Sequence, residues 1–254
     1  MRPWKWLLSL CLVGVNMPAL ANDFERLVQE GSAQAEAGNR AAAIASFEKA
    51  RELEPKSPDV WYTLGVLHQC PKGVSYFEEA IRLDPGYWQA HYNIGVCSEK
   101  QGKHKEARSK YEEALRIFPD NPDLQYWVGT SYLGESKYSE AIPFLKASLG
   151  GATAKYQVAL NLGNAYEGLR NLPEATSWFQ KAISMTPTLP AGYIAVASPL
   201  EEQGKAKEAK AFLEKGGELA LAAKDKPMIS AALANLKNMF PESPLIKKLE
   251  AAKQ

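Results

Sequence analysis

From residue 24 onward the chain repeats itself every 34 residues. A fixed period of about 20–50 residues confines the fold to stacked repeats, because no single repeat can bury its own apolar face. One phase is marked by Leu64-Gly65, Ile94-Gly95, Val128-Gly129 and Leu162-Gly163, with spacings of 30, 34 and 34 residues. A second phase follows as Ala43/Phe47/Ala50/Pro55, Phe77/Ala80/Pro85, Ala107/Tyr111/Ala114/Pro119 and Ala175/Phe179/Ala182/Pro187.

The residue types make physical sense at that spacing. Glycine and alanine sit where one helix approaches its neighbour closely, and a large ring fills the space beside them. Pro55, Pro85, Pro119 and Pro187 close a second helix, since proline lacks the amide donor and restricts the residue before it. Gly38, Gly102 and Gly204 stand at the turn within a pair. The pattern therefore predicts two helices per repeat, with boundaries at 24–57, 58–87, 88–121, 122–155, 156–189 and 190–223. Repeat two is four residues short, with Cys70-Pro71-Lys72-Gly73 in place of the usual helix ends, which predicts truncated helices and a tight turn. In repeat four Pro143 falls early in the second helix, and Gly150-Gly151 replaces the closing proline. After Lys226-Pro227, Met228, Ile229, Ala232, Leu233, Leu236 and Met239 keep helical spacing, so residues 224–254 are expected to form capping helices, the last near 245–251.

These positions are the signature of the tetratricopeptide-repeat (TPR) family, which the chain resembles from Phe24 to about Ala223. The resemblance implies an all-α, right-handed superhelix whose concave face, lined by the first helix of each repeat, binds a protein segment. In that family the fifth residue of a repeat tends to face the concave side. Carried over, this places Tyr62, Tyr92 and Tyr126 on the groove as an aromatic ladder, with Asn93, Trp127, Asn161 and Asn164 at neighbouring inward places. The alternative is that the tyrosines pack between helices. Chaperone-docking TPR domains clamp an acidic terminus with a basic set that this face lacks, so the expected partner is an apolar or aromatic segment, extended or helical. The six repeats and the tail from Leu233 to Ser243 also resemble the architecture of type IV pilus pilotins, which gives a narrower reading as an assembly factor for a secretin-type envelope machine.

The first 21 residues differ from the rest. Arg2 and Lys5 precede an apolar run from Leu7 to Val15, then Pro18 and Ala19-Leu20-Ala21, the pattern of a secretory signal cleaved after Ala21. The run is short of the ~20 residues that span a bilayer, and no later segment is long and apolar enough to do so. Leu10 before Cys11 argues against lipid attachment. The expected mature chain is exported, periplasmic if bacterial.

Composition narrows the function classes. With 46% apolar and 23% charged residues the chain can bury a core. Thirty basic against twenty-nine acidic side chains leave no field for a nucleic-acid partner. No nucleophile elbow, phosphate loop or HExxH helix is present, so neither catalysis nor a cofactor is expected. His68, His91, Cys70 and Cys97 suggest a metal, but His68/Cys70 and His91/Cys97 point about 200° and 240° apart on their helices, and no metal is expected. His104 falls in a turn and reads as solvated. Cys70 and Cys97, an even pair in an exported chain, are expected to join as a disulfide closing a 27-residue separation, worth about 3–4 kcal/mol in the chain-entropy model. Otherwise both are small buried hydrophobes.

Overall fold

The computed structural model describes residues 19–151 and 155–253, and every element among them is helical. The proposed export signal, apart from its last three residues, lies outside the described residues. Two compact units divide at Phe118 and Pro119.

The first unit holds three helix pairs: α1 (Ala19–Glu36) with α2 (Arg40–Leu53), α3 (Pro58–His68) with α4 (Val74–Leu83), and α5 (Trp88–Lys100) with α6 (His104–Ile117). Each helix packs on its neighbours in sequence. Local sequence starts and stops them. Pro58 opens α3, where its missing N–H costs nothing. Gly38 and Gly102 turn the chain between partners at φ of +80° and +72°. The small-beside-large rule is literal at Gly95: a methyl group there would sit 2.5 Å from the Tyr111 ring, which is fully buried. The second pair is short, with 11 and 10 residues against 13 and 14 in the third.

The second unit begins with α7 (Pro122–Gly134), α8 (Tyr138–Ser148), α9 (Lys155–Gly168) and α10 (Leu172–Met185). Asn121 caps α7, its side-chain oxygen accepting from the N–H groups of Asp123 and Leu124 at 2.9 and 3.0 Å. The next repeat departs from a plain pair. Its first helix is broken into α11 (Pro190–Ala195) and α12 (Ala197–Glu202), because Pro199 has no N–H to give the Ala195 carbonyl. Then come α13 (Ala206–Ala223), α14 (Lys226–Met239) and α15 (Leu245–Lys253). Both α14 and α15 pack on α13, burying Ile229, Ala232, Leu233, Leu236, Leu245 and Leu249. No helix among the described residues is long and apolar enough to cross a membrane.

Candidate partner-binding site

In the first unit the fifth-place tyrosines come from α3 and α5. The Tyr62 ring is half-buried against Phe77 and Tyr87, with centroids 5.7 and 5.1 Å away, so it belongs partly to the core. The Tyr92 ring lies 5.7 Å from that of Tyr111. Between the repeats runs a polar clasp. The Asn93 amide donates to the Tyr62 hydroxyl oxygen at 3.2 Å and to the Gln89 carbonyl at 2.9 Å. Burial pushes the Tyr62 phenol above its ordinary value, while the Asn93 hydrogen bond pulls it the other way. The Tyr87 hydroxyl donates to the Asp59 carboxylate at 2.6 Å, a second tie across the same seam.

Farther along that seam Cys70 and Cys97 are bonded, with Cα atoms 5.3 Å apart. Cys97 is buried, one helical turn beyond Asn93. The histidines have other company. His68 stacks on Tyr76 at 4.8 Å. His91 is buried with Nδ1 2.8 Å from Glu113, a carboxylate that Lys110 also reaches at 2.8 Å. His104 is not simply solvated: it opens α6 and its Nδ1 lies 2.9 Å from Glu99. Among the described residues no group of three or more His, Cys, Asp or Glu side chains could hold a metal ion.

The second unit repeats the clasp with different balance. The Asn161 amide donates to Thr130 Oγ1 at 3.3 Å and, at a long 3.5 Å, to the Tyr126 hydroxyl oxygen. The Gln157 amide donates to Asn161 Oδ1 at 3.4 Å, and only 7% of Asn161 is exposed. Burial raises the Tyr126 phenol. Trp127 stands edge-on to Tyr126 at 5.3 Å, and Asn164 is exposed on α9. Tyr156 adds a tie to the following repeat, its hydroxyl oxygen accepting from the Gly192 N–H at 3.2 Å.

Tyr62 and Asn93 are thus brought together, as are Tyr126, Trp127 and Asn161, each set within its own unit. Gln89, Thr130 and Gln157, the partners that orient the two asparagines, were missed by sequence reasoning. The signal was there in the register. Each lies three or four residues from an asparagine on the same helix or one repeat before it, which is hydrogen-bonding distance on stacked helices.

Comparison with known proteins agrees with this architecture. A tetratricopeptide repeat model matches residues 28–69, 67–122 and 123–190, so the chain belongs to the tetratricopeptide-repeat family, an all-α fold of the α-solenoid class. The bovine (Bos taurus) BBSome complex member BBS4 is 25% identical over 179 residues, 68% of this chain and 34% of that protein. The chain therefore spans about a third of that relative's length. Among solved structures, YrrB, described as a TPR protein with an unusual peptide-binding site, superposes with a TM-score of 0.65 at 21% identity, covering 75% of this chain and 97% of its own. PilW, described as a widely conserved type IV pilus biogenesis factor, gives 0.55 at 16% identity, covering 76% and 98%. Members of this family generally serve as scaffolds for protein partners and do not catalyse reactions.

Proposed function

We propose that this chain is an exported scaffold that holds a segment of a partner protein along the first helices of its repeats. The observation that carries the reading is the shared register: Tyr62 with Asn93 and Tyr126 with Asn161 set a ring and an amide at the same places in both units, beside exposed Asn164. Rings supply buried area, and the amides with a hydrogen-bonding group left open, half-buried Asn93 and exposed Asn164, supply hydrogen bonds, the pairing that peptide grooves use. The peptide-binding description of YrrB lends support by analogy of fold. Export rests on Arg2, Lys5, the run from Leu7 to Val15 and Ala19-Leu20-Ala21.

A photo-crosslinking residue tests this in the native envelope. Placed at Asn164 on α9, it should capture a partner that the same group at Gln180, exposed on α10, does not. Equal capture from both, or none, overturns the scaffold reading. Recovery of the chain with an intact Met1 from outside the cytoplasm overturns cleavage after Ala21. The narrower proposal, assembly of a type IV pilus machine, is supported by the tail from Leu233 to Ser243 and by the fold in common with PilW. A secretin subunit among the captured partners sustains it, and its reproducible absence removes it.

A further inference from the structure

Between α1 and α3 the first unit holds a small apolar slot of about 90 Å³. Phe47 and Val60, both buried, line it from the core, and half-buried Phe24 and Val28 of α1 complete the apolar lining. At roughly 30 Å³ for a water-sized group, it has room for about three methylene-sized groups. Its polar residues are Ser57, Asp59 and Thr63. The Thr63 hydroxyl donates to the Asp59 main-chain carbonyl at 2.8 Å and is spent on its own helix. Asp59 is exposed, and its carboxylate is engaged through Oδ1, which accepts from the Tyr87 hydroxyl at 2.6 Å. Glu25, also exposed, stands three residues before Val28 and so on the same side of α1. Arg26, the only basic residue of α1, is shared between Asp23 and Glu30. Among the described residues neither Glu25 nor Asp59 has an ion-pair partner.

An apolar slot beside carboxylates suits a side chain with a hydrocarbon stem and a cationic end. The N-terminus of α3 opposes this, since its N–H groups carry about half a positive charge, but a carboxylate carries a whole negative one and two of them flank the slot. A purely apolar side chain would fill the slot and strip water from the carboxylates with nothing in return. Lysine fits better than arginine. The guanidinium fork binds both oxygens of a carboxylate, whereas Asp59 has Oδ1 engaged by Tyr87 and offers Oδ2 to a point charge. We propose that the slot between α1 and α3 takes a lysine side chain of the partner, its stem among Phe24, Val28 and Val60 and its ammonium on the Asp59 carboxylate. This rests on the scaffold reading and adds a cationic residue to the apolar or aromatic segment expected of the partner.

The probe is a random 12-residue peptide display library selected on the full chain at low salt. Enriched peptides, synthesised with an acetylated N-terminus so that lysine supplies the only ammonium, should share a lysine at one position. Replacing it by norleucine, which keeps the four-carbon stem and removes the charge, should weaken binding about three- to fivefold, the upper end for an ion pair open to water. That difference should shrink at high salt. Arginine at the same position should bind more weakly than lysine. In Asp59→Asn, which keeps an oxygen for the Tyr87 hydroxyl, the lysine and norleucine peptides should bind alike, with melting unchanged. Asp123→Asn, in the first turn of α7, should leave the lysine preference at full size. Binders with no common lysine, arginine as good as lysine, or a lysine preference that survives in Asp59→Asn overturns the lysine slot while leaving the scaffold reading intact. A library that yields no binding peptide at all overturns both.

Discussion

The seam between α3 and α5 and the seam between α7 and α9 join equivalent helices, yet they are held by different chemistry. In the first, the short repeat has lost part of its helix contact, and a disulfide ties Cys70 to Cys97 beyond the Tyr62–Asn93 clasp. In the second, Gly134 and Ala165 occupy the corresponding places and have nothing to bridge with. That seam instead closes its polar network, with both ends of the Asn161 amide engaged. Beside the covalent tie Asn93 is half-buried and its acceptor stays open to water, whereas Asn161 is buried, where an unpaired polar group costs about 1–3 kcal/mol, and its amide is paired at both ends.

The largest effect expected from this contrast follows from the disulfide. Replacing both cysteines in Cys70→Ser/Cys97→Ser should destabilise the first unit by about 3–4 kcal/mol, the chain-entropy value for a 27-residue separation. Hydrogen exchange read by mass spectrometry should accelerate through α3–α5 and stay unchanged in α7–α9. Equal acceleration in both seams breaks the comparison. Next in size, Asn161→Ala should cost about 1–3 kcal/mol in denaturant unfolding, against less than about 1 kcal/mol for Asn93→Ala, because Asn161 is buried with three hydrogen-bond partners to lose whereas Asn93 is half-buried with an acceptor that water reaches. Equal costs would erase the distinction between a closed and an open clasp.

Smaller again is a gain. Gln69, the residue before Cys70, takes φ of 58° with ψ of 177°, a conformation that suits glycine and costs other residues about 1–3 kcal/mol. Gln69→Gly trades that strain against a more flexible unfolded chain, so a net stabilisation of up to about 1 kcal/mol is expected from denaturant unfolding. A net loss would show that the Gln69 side chain supports the seam. The smallest effect is acid sensitivity. All three histidines lie in the first unit, and burial is the leading cause holding His68 and His91 below the ordinary value of 6.5. A base whose folded pKa is depressed contributes its stability above the unfolded value, and that contribution fades as pH falls through the window below 6.5. Protection factors, taken against the intrinsic exchange rate at each pH, should fall in α3–α6 between neutral and mildly acid pH, and not in α9–α10. His68→Phe, which retains a ring beside Tyr76, should blunt the response. An unchanged acid response in that variant would assign it to His91 alone.

Much of the fold was legible because packing between stacked helices imposes residue size at fixed intervals. Gly95 beside Tyr111 is the clearest case: the ring cannot lie where it does if position 95 carries a side chain. The glycines of the pair turns were equally readable, since Gly38, Gly102 and Gly204 all take positive φ. The same turn at Ser136 and Arg170 was not, because both adopt φ near 60° without being glycine. Pro199 was visible as a residue, but its breaking of a helix into α11 and α12 was overlooked in favour of the repeat's regular pattern.

The candidate site was legible by position and opaque by orientation. Register alone placed Tyr62 and Tyr126 on first helices beside the asparagines of the following repeats. It did not say that each ring would be half-buried against its own unit's core, or that the Asn93 amide would face Gln89 and leave its carbonyl open. Spacing along a chain determines which helix and which turn a residue occupies, because that follows from 3.6 residues per turn. Which hydrogen-bonding valence remains for a partner depends on every neighbour brought within about 3 Å by packing between repeats, and those neighbours, Gln89 for one asparagine and Gln157 with Thr130 for the other, were chosen only by the tertiary structure.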